Sequence, residues 1–360
     1  MKSSTVRHAY LDWVRGVAVL IMIEAHVLDA WTHTADRTRP LFGYAMILGG
    51  FGAPLFLFLA GLAAVLSAES KRRKSGEFAA SWRAVQQRGW QVFGLAFLFR
   101  LQSYILSGGN GLLGLLKVDI LNVMGPAIAM TGLTGRLARK TVVRGVLFVA
   151  VAGVISLVTP IVRAMPVFAW LPDPIEWYLR PTPGRTNFTL FPWAGFVFAG
   201  AAVGVIIDSP KPAQRARRLQ VTLAIAGALV VWMAHAASLR PSLYAQSDYW
   251  TSSPSFFFLR VGVLTLLLPL GYAWTHAPWR RKLSAWSPLE EFGRASLFVY
   301  WIHVEMVYGF FSRPIRRSLS LEGALAAYMA FTMFLLALVR LKTWIVEDRA
   351  IYLTDSKSVI

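Results

Sequence analysis

Long apolar stretches separated by short polar segments follow one another along the chain. Ten of them are long enough to cross a hydrocarbon core of about 30 Å as a helix. They cover residues 10–31, 44–67, 87–106, 118–137, 142–162, 190–207, 221–239, 256–274, 295–311 and 321–341. The pattern predicts an all-α polytopic membrane bundle of about ten transmembrane helices, organised as a single transmembrane domain over residues 1–360.

The first stretch is predicted to be a permanent helix and not a cleavable signal peptide. It contains Asp12 and Arg15, continues to Trp31 and lacks a small-residue cleavage site.

Composition supports a membrane protein and removes several kinds of chemistry. The chain of 360 residues is 56% hydrophobic and 15% charged, whereas soluble domains average about 25% charged residues. It contains no cysteine, which excludes thiolate nucleophiles, disulfides, iron–sulfur clusters and cysteine-based zinc sites. The net charge of +19 comes from short basic clusters between apolar stretches, so it indicates orientation and not nucleic-acid binding.

Lysine and arginine are distributed unevenly between the two sides of the predicted bundle. Of the 37 such residues, 24 lie at the termini and in alternate connections on one side, and 11 lie in the connections on the other. The positive-inside rule makes the first side cytoplasmic, with both termini. We therefore expect a multi-pass protein of a bacterial cytoplasmic (inner) membrane.

The first predicted helix contains five ionisable side chains, Asp12, Arg15, Glu24, His26 and Asp29. Each charge within the bilayer costs at least about 2.5 kcal/mol on insertion scales. At 100° per residue, Arg15 and His26 lie within about 20° of each other on the helix surface and about 16 Å apart along its axis. This face suits a long ligand.

Two carboxylates of this helix have different expected roles. Asp29 follows His26 by three residues and is close enough to orient its imidazole. Glu24 points about 200° away from His26, so it needs a partner on another helix or must be neutral. Structural contacts between helices are the alternative for any one of these residues.

The ninth stretch also combines histidine with an acid. Ser296, Tyr300 and His303 form a polar stripe on one face, and Glu305 lies about 200° from His303. Elsewhere, Arg100 and Asp119 flank one outer connection, followed by Asn122. These two charged residues either form an ion pair or reach water separately.

A cysteine-free bundle with these groups can support acyl transfer by general base catalysis. A histidine would deprotonate an acceptor hydroxyl or amine, which would attack a thioester, while an arginine would hold the donor phosphates. The same groups could relay protons in a proton-coupled carrier of a sugar or lipid. A non-catalytic scaffold is a third reading.

Four segments resemble known membrane acyltransferases. LDWVRG, with His26 ten intervening residues after Arg15, resembles the arginine–histidine signature of the acyltransferase-three family. GRASLFVYWIHVE resembles a late helix of the heparan-α-glucosaminide N-acetyltransferase group in the same superfamily. GGFGAPLFLFLAGLAAVLS and FPWAGFVFAGAAVG agree with it.

The resemblance implies an enzyme that moves an acetyl group from acetyl-CoA on the cytoplasmic side to an extracytoplasmic carbohydrate, by O- or N-transfer. It implies His26 as the catalytic histidine, with His33 as the alternative, and Arg15 on the donor path. Membrane lipids are expected partners, with a possible homodimer. The candidates are His26, Asp29, His33, His303 and Glu305 for catalysis, Arg15 and Arg100 for the donor, and Glu24, Asp119, Asn122 and Tyr300 for the substrate. No metal ligand is predicted.

Overall fold

The computed structural model describes residues 8–106, 111–208, 213–281 and 286–355, and its regular elements are helical. The α-helices are α1 (Ala9–Trp31), α2 (Pro40–Gly49), α3 (Gly52–Ser75), α4 (Phe78–Leu106), α5 (Ile120–Leu137), α6 (Thr141–Ala164), α7 (Asp173–Leu179), α8 (Leu190–Ile207), α9 (Ala213–Ser238), α10 (Pro254–Thr275), α11 (Pro288–Arg294), α12 (Ser296–Tyr308) and α13 (Leu321–Asp355). The all-α prediction is confirmed.

All ten predicted apolar stretches fall on helices, but two are interrupted. The stretch 44–67 is divided between α2 and α3 by a turn at Gly50 and Phe51, where consecutive glycines lower helix propensity. The stretch 295–311 is divided at Gly309, whose extended backbone ends α12 before the 3₁₀ helix of Phe310–Ile315. Hydropathy alone does not locate such breaks.

Six helical stretches within the described part of the chain are long and apolar enough to span a membrane. They are Pro40–Ser75, Thr141–Ala164, Leu190–Ile207, Arg215–Ser238, Pro254–Thr275 and Leu321–Val346. Helix α1 is not among them because it contains four charged residues, Asp12, Arg15, Glu24 and Asp29. Helix α12, with 13 residues, is only about 20 Å long. The ten-span count and the orientation of the termini therefore stay predictions.

Two compact units are described separately. The first, Ala53–Ala273, packs α4 against α5 and α6 against α8. Small residues allow its helices to approach closely: a Cβ atom on Gly61 of α3 would lie 1.8 Å from the carbonyl oxygen of Val197, and one on Gly200 of α8 would lie 1.8 Å from that of Phe58. Side chains are excluded from both positions, as is typical of tight intramembrane helix contacts.

A buried ion-pair network lies in the first unit. Arg144, only 1% exposed, donates from Nη2 to Glu69 Oε1 at 2.6 Å, and its guanidinium lies 5.0 Å from the ring centroid of Trp82. The other oxygen of Glu69 accepts from Arg72 Nε at 2.7 Å. Because both carboxylate oxygens are used, this charge is compensated inside the protein.

The second unit consists of His8–Gly52 and the segment that begins at Trp274. Helix α1 packs against α2, α11, α12 and α13. A Cβ atom on Gly16 would lie 1.9 Å from the carbonyl oxygen of Leu289, and one on Gly293 would lie 1.8 Å from that of Asp12. The two glycines bring α1 and α11 into backbone contact.

We expect Gly16→Ala to destabilise the second unit by about 1–3 kcal/mol, because the added methyl group overlaps α11. Gly43→Ala is the matched control, since Gly43 is also helical and a Cβ atom there meets nothing within 4 Å. The measurement is thermal unfolding of the purified variants in one detergent. Equal loss of stability in both variants would contradict the close-contact explanation.

Candidate active site around His26 and His303

His26 and His303 meet inside the second unit. Nδ1 of His26 lies 2.9 Å from Nε2 of His303, a hydrogen-bond distance between residues 277 positions apart. The two rings are nearly parallel, with an interplanar angle of 8° and centroids 5.1 Å apart. His303 is completely buried and His26 is half-buried, so the pair reaches its surroundings through His26.

A backbone carbonyl determines which ring nitrogens carry protons. Nδ1 of His303 lies 2.8 Å from the carbonyl oxygen of Val299. Because a carbonyl oxygen only accepts, Nδ1 of His303 must be the protonated nitrogen, and in the uncharged ring Nε2 is then an acceptor. His26 therefore donates from Nδ1, which leaves the lone pair of His26 on Nε2. This is the protonation state that a general base requires.

The aromatic surroundings hold both rings in place. The ring of Tyr308 packs edge-on against His26, with centroids 5.4 Å apart, and Tyr300 packs edge-on against His303 at 5.9 Å. The hydroxyl of Tyr308 donates to Asp29 Oδ2 at 3.3 Å. Tyr308 thus connects the predicted acid to the predicted histidine.

Asp29 is also held by an arginine that sequence reasoning missed. Arg37 Nη2 donates to Asp29 Oδ1 at 2.5 Å. The expectation that Asp29 orients the imidazole of His26 stays a prediction: His26 donates to His303, and Asp29 accepts from Tyr308, whose ring packs against His26. Arg37 lies beyond the end of α1, where helical periodicity gives no information on its position.

A short backbone clamp joins the end of α1 to the connection between α12 and α13. Arg317 donates its N–H to the carbonyl of Ala30 at 3.0 Å, and Leu319 donates to Trp31 at 3.0 Å. His33 in turn donates to Leu319 at 2.7 Å. These bonds fix the end of α1 close to α12, and so support the contact between the two histidines.

Three other predicted residues of this unit, Arg15, His33 and Glu305, lie apart from the histidine pair. Arg15 forms an ion pair with Asp12 at 3.1 Å, one turn before it. His33 lies after the end of α1, is exposed and accepts at Nδ1 from the N–H of Ala35, so it does not continue the helical face of Arg15 and His26. Glu305 is half-buried in the last turn of α12.

Glu24 is buried and points away from the histidine pair, as predicted. Its Oε2 lies 3.7 Å from the position of a Cβ atom on Gly49 of α2, and Tyr328 of α13 lies within its electrostatic range. In the described part of the chain, this oxygen has no hydrogen-bond partner. A carboxyl group in such surroundings is costly to ionise.

The remaining three candidates form a cluster of their own in the first unit. The predicted ion pair is present, with Arg100 Nη2 donating to Asp119 Oδ2 at 2.5 Å. Asp119 also caps α5, and Asn122 accepts from the N–H of Asp119 at 3.1 Å, which completes a capping box. Asn122 donates to the hydroxyl of Tyr178. These contacts connect the beginning of α5 to α4 and α7.

Lys117, in the connection just before Asp119, also belongs to this cluster. Burial lowers the pKa of its ammonium group, and the charge of Arg100 adds to this effect, while Asp119 opposes it. Two cations of the cluster, Arg100 and Lys117, therefore lie within electrostatic range of the same carboxylate, that of Asp119.

A comparison with protein families identifies the chain's relatives. The family model for the catalytic region of heparan-α-glucosaminide N-acetyltransferase matches residues 7–237, more than half of the chain. The chain belongs to this family. Together with its apolar helices, membership makes it an integral membrane protein of an acetyltransferase family, which confirms the resemblance.

The heparan-α-glucosaminide N-acetyltransferase match covers only part of the candidate site. It contains Arg15, Glu24, His26, Asp29 and the Arg100 cluster, but ends before α12. His303 and Glu305 therefore lie outside the matched residues, and His303 is related to the family region by its contact with His26. No curated protein matches the chain at a significant level.

The hydrogen-bond chain predicts the tautomer of His26. In protein with ¹⁵N-labelled histidine, the uncharged His26 should carry its proton on Nδ1. His303→Leu removes the acceptor and should release this preference, whereas His303→Gln provides an amide oxygen that restores it. The ¹⁵N chemical shifts report the tautomer, and the His26→Gln variant assigns the signal. An unchanged His26 spectrum in His303→Leu would contradict the chain.

Asp119→Ala tests whether the first-unit cluster is structural. The variant loses a helix cap and leaves Arg100 without its carboxylate, so the free energy of unfolding should fall by at least about 1 kcal/mol. Asp173→Ala is the control, since Asp173 is an exposed acid in the first turn of α7. A normal unfolding temperature with weakened acceptor binding would instead favour the predicted substrate role of Asp119.

Proposed function

We propose that this protein is a membrane acetyltransferase that takes an acetyl group from acetyl-CoA on the cytoplasmic side and transfers it to a hydroxyl or amine of an extracytoplasmic carbohydrate. Family membership supports acetyl transfer, and the family's name supports an amino sugar as acceptor. The observation that carries the assignment of the site is the contact between His26 and His303 at 2.9 Å.

His26 is the general base in this proposal. Its Nε2 removes the proton from the acceptor hydroxyl or amine, and the acceptor atom attacks the thioester carbonyl carbon. The bond from this carbon to sulfur breaks, and the proton held by His26 passes to the departing coenzyme A thiolate. His303 acts through His26, because its Nε2 accepts the Nδ1 proton and can share the positive charge that develops on the imidazole.

Arg15 is the proposed contact for the donor phosphates. It lies about 16 Å from His26 along α1, a separation that suits an extended donor with its phosphates at one end and its thioester at the other. Its side chain is 26% exposed beside Asp12, so its guanidinium is accessible. Arg100 stays a second prediction for this role, although its Nη2 already serves Asp119.

The uneven distribution of lysine and arginine supports the proposed sidedness. If the 24-residue side is cytoplasmic, the beginning of α1 with Arg15 faces the donor compartment, and its end with His26 faces the acceptor. Helix α1 would then carry the reaction across the bilayer, in a bacterial cytoplasmic (inner) membrane.

His26→Ala should keep its fold and its affinity for acetyl-CoA but release coenzyme A to an amino-sugar acceptor about 10²–10⁴ times more slowly, the usual contribution of a general base. His33→Ala is the matched control and should keep its activity. A thiol-reactive dye measures the free coenzyme A, and acetyl-CoA should raise the unfolding temperature of both variants. Full activity in His26→Ala would refute the assignment, and absent stabilisation by acetyl-CoA would favour a scaffold.

Glu24 favours one other function. A buried carboxyl group with an oxygen lacking a hydrogen-bond partner in the described structure is a typical proton-carrying group of proton-coupled carriers. Proteoliposomes distinguish the two functions. Uptake of an unmodified sugar without coenzyme A, abolished by Glu24→Gln, would support a carrier and contradict acetyl transfer.

A further inference from the structure

A cavity of about 800 Å³ lies in the first unit, between the end of α9 and the beginning of α10. This volume lies within the range of about 300–1,000 Å³ that is usual for small-molecule sites. None of the residues named in the mechanism above lines it. Its occupant can therefore be inferred from its own walls.

The cavity exists because α9 and α10 touch at one level and separate at another. Gly227 and Gly262 bring the two helices together: a Cβ atom on Gly262 would lie 2.7 Å from a methyl group of Val231. Beyond this contact, both Ala237 and Pro254 line the opening between the helices. Tyr244 covers it, with its hydroxyl donating to the carbonyl of Leu157 at 2.8 Å.

The deeper wall of the cavity is formed by α9 and α10 themselves. Both flanking helices are candidate membrane spans, and Val230, Met233 and Phe258 give this wall an apolar surface. Helix α9 also has an exposed apolar stripe along its side, formed by Ile225, Leu229 and Trp232, which favours contact with lipid. An acyl chain can therefore enter from the bilayer.

The rim of the cavity is cationic and rich in hydroxyl groups, in contrast to its apolar wall. Arg240 stands at the end of α9, accompanied by hydroxyl groups of Ser242, Ser247, Ser253 and Ser255. None of the described residues that line the cavity is acidic, and Arg240 has no side-chain ion pair or hydrogen bond within the described part of the chain. Arginine and hydroxyl donors together suit a phosphate group.

We propose that this cavity binds one anionic lipid, with its hydrocarbon chain between α9 and α10 and its phosphate at Arg240. The apolar wall and the cationic, hydroxyl-rich rim at the helix ends match the two parts of such a molecule. A membrane phospholipid and a polyprenyl phosphate share this chemistry.

Native mass spectrometry of the full chain tests the site. The purified protein is incubated with mixed micelles of phosphatidylglycerol and phosphatidylcholine, and the lipids retained by each chain are counted. Wild-type protein should retain one phosphatidylglycerol in preference to phosphatidylcholine. Arg240→Ala should lower this retention about tenfold, the effect of losing one charge-assisted hydrogen bond. Ala237→Trp should fill the cavity and abolish it.

Two control variants separate the cavity from general effects. Arg217→Ala removes an exposed arginine from the other end of α9, and Ala228→Trp adds the same ring at an exposed position outside the cavity. Both should retain phosphatidylglycerol. Equal retention of the two lipids, an equal loss in both arginine variants, or retention by a folded Ala237→Trp protein would overturn the proposal.

A competition experiment identifies the source of the lipid. Displacement of phosphatidylglycerol by a stoichiometric amount of polyprenyl monophosphate would assign the cavity to a lipid-linked sugar carrier. Persistence of phosphatidylglycerol would assign it to a membrane phospholipid. The site does not depend on the proposed acetyl transfer, so loss of activity in His26→Ala leaves its test unaffected.

Discussion

A polar side chain within the hydrocarbon region must find its partner inside the protein, because lipid offers none. The ionisable residues of α1, which is predicted to be a membrane span, make contacts of this kind. Arg15 pairs with Asp12, Asp29 pairs with Arg37, and His26 hydrogen-bonds to His303. Each partner lies in the same compact unit as α1, so the packing of that unit is dictated by polar contacts as much as by apolar ones.

Close approach of helices makes these polar contacts possible. Where α1 crosses α11, Gly16 and Gly293 leave room only for backbone, and α3 and α8 meet in the same way in the first unit. Small residues at a crossing shorten the distance that neighbouring side chains must reach. The buried pair of Glu69 and Arg144 lies in a unit assembled on this principle, and its energetic cost is limited by the number of hydrogen bonds it makes.

Sequence patterns predicted the helices well because hydropathy and length are local properties. The ion pair of Arg100 and Asp119 was also predictable, since both residues flank one connection. The contact of His26 with His303 was not, because no periodicity relates two helices so distant along the chain. Asp29 shows the same limit: its spacing from His26 was right for an interaction, yet Arg37, beyond the helix end, and Tyr308, on another helix, hold its oxygens.

The clamp between residues 30–33 and 317–319 has a consequence for biosynthesis. Its two halves lie near residue 30 and near residue 318, so α1 is synthesised long before the segment that it bonds to. During this interval, His26 lacks His303 and Glu24 lacks Tyr328 as neighbours. The second unit can close only after α12 and α13 have been inserted. The proposed histidine pair is thus among the last contacts to form, and a chain truncated before α12 would contain all of the matched family region but only one of the two histidines.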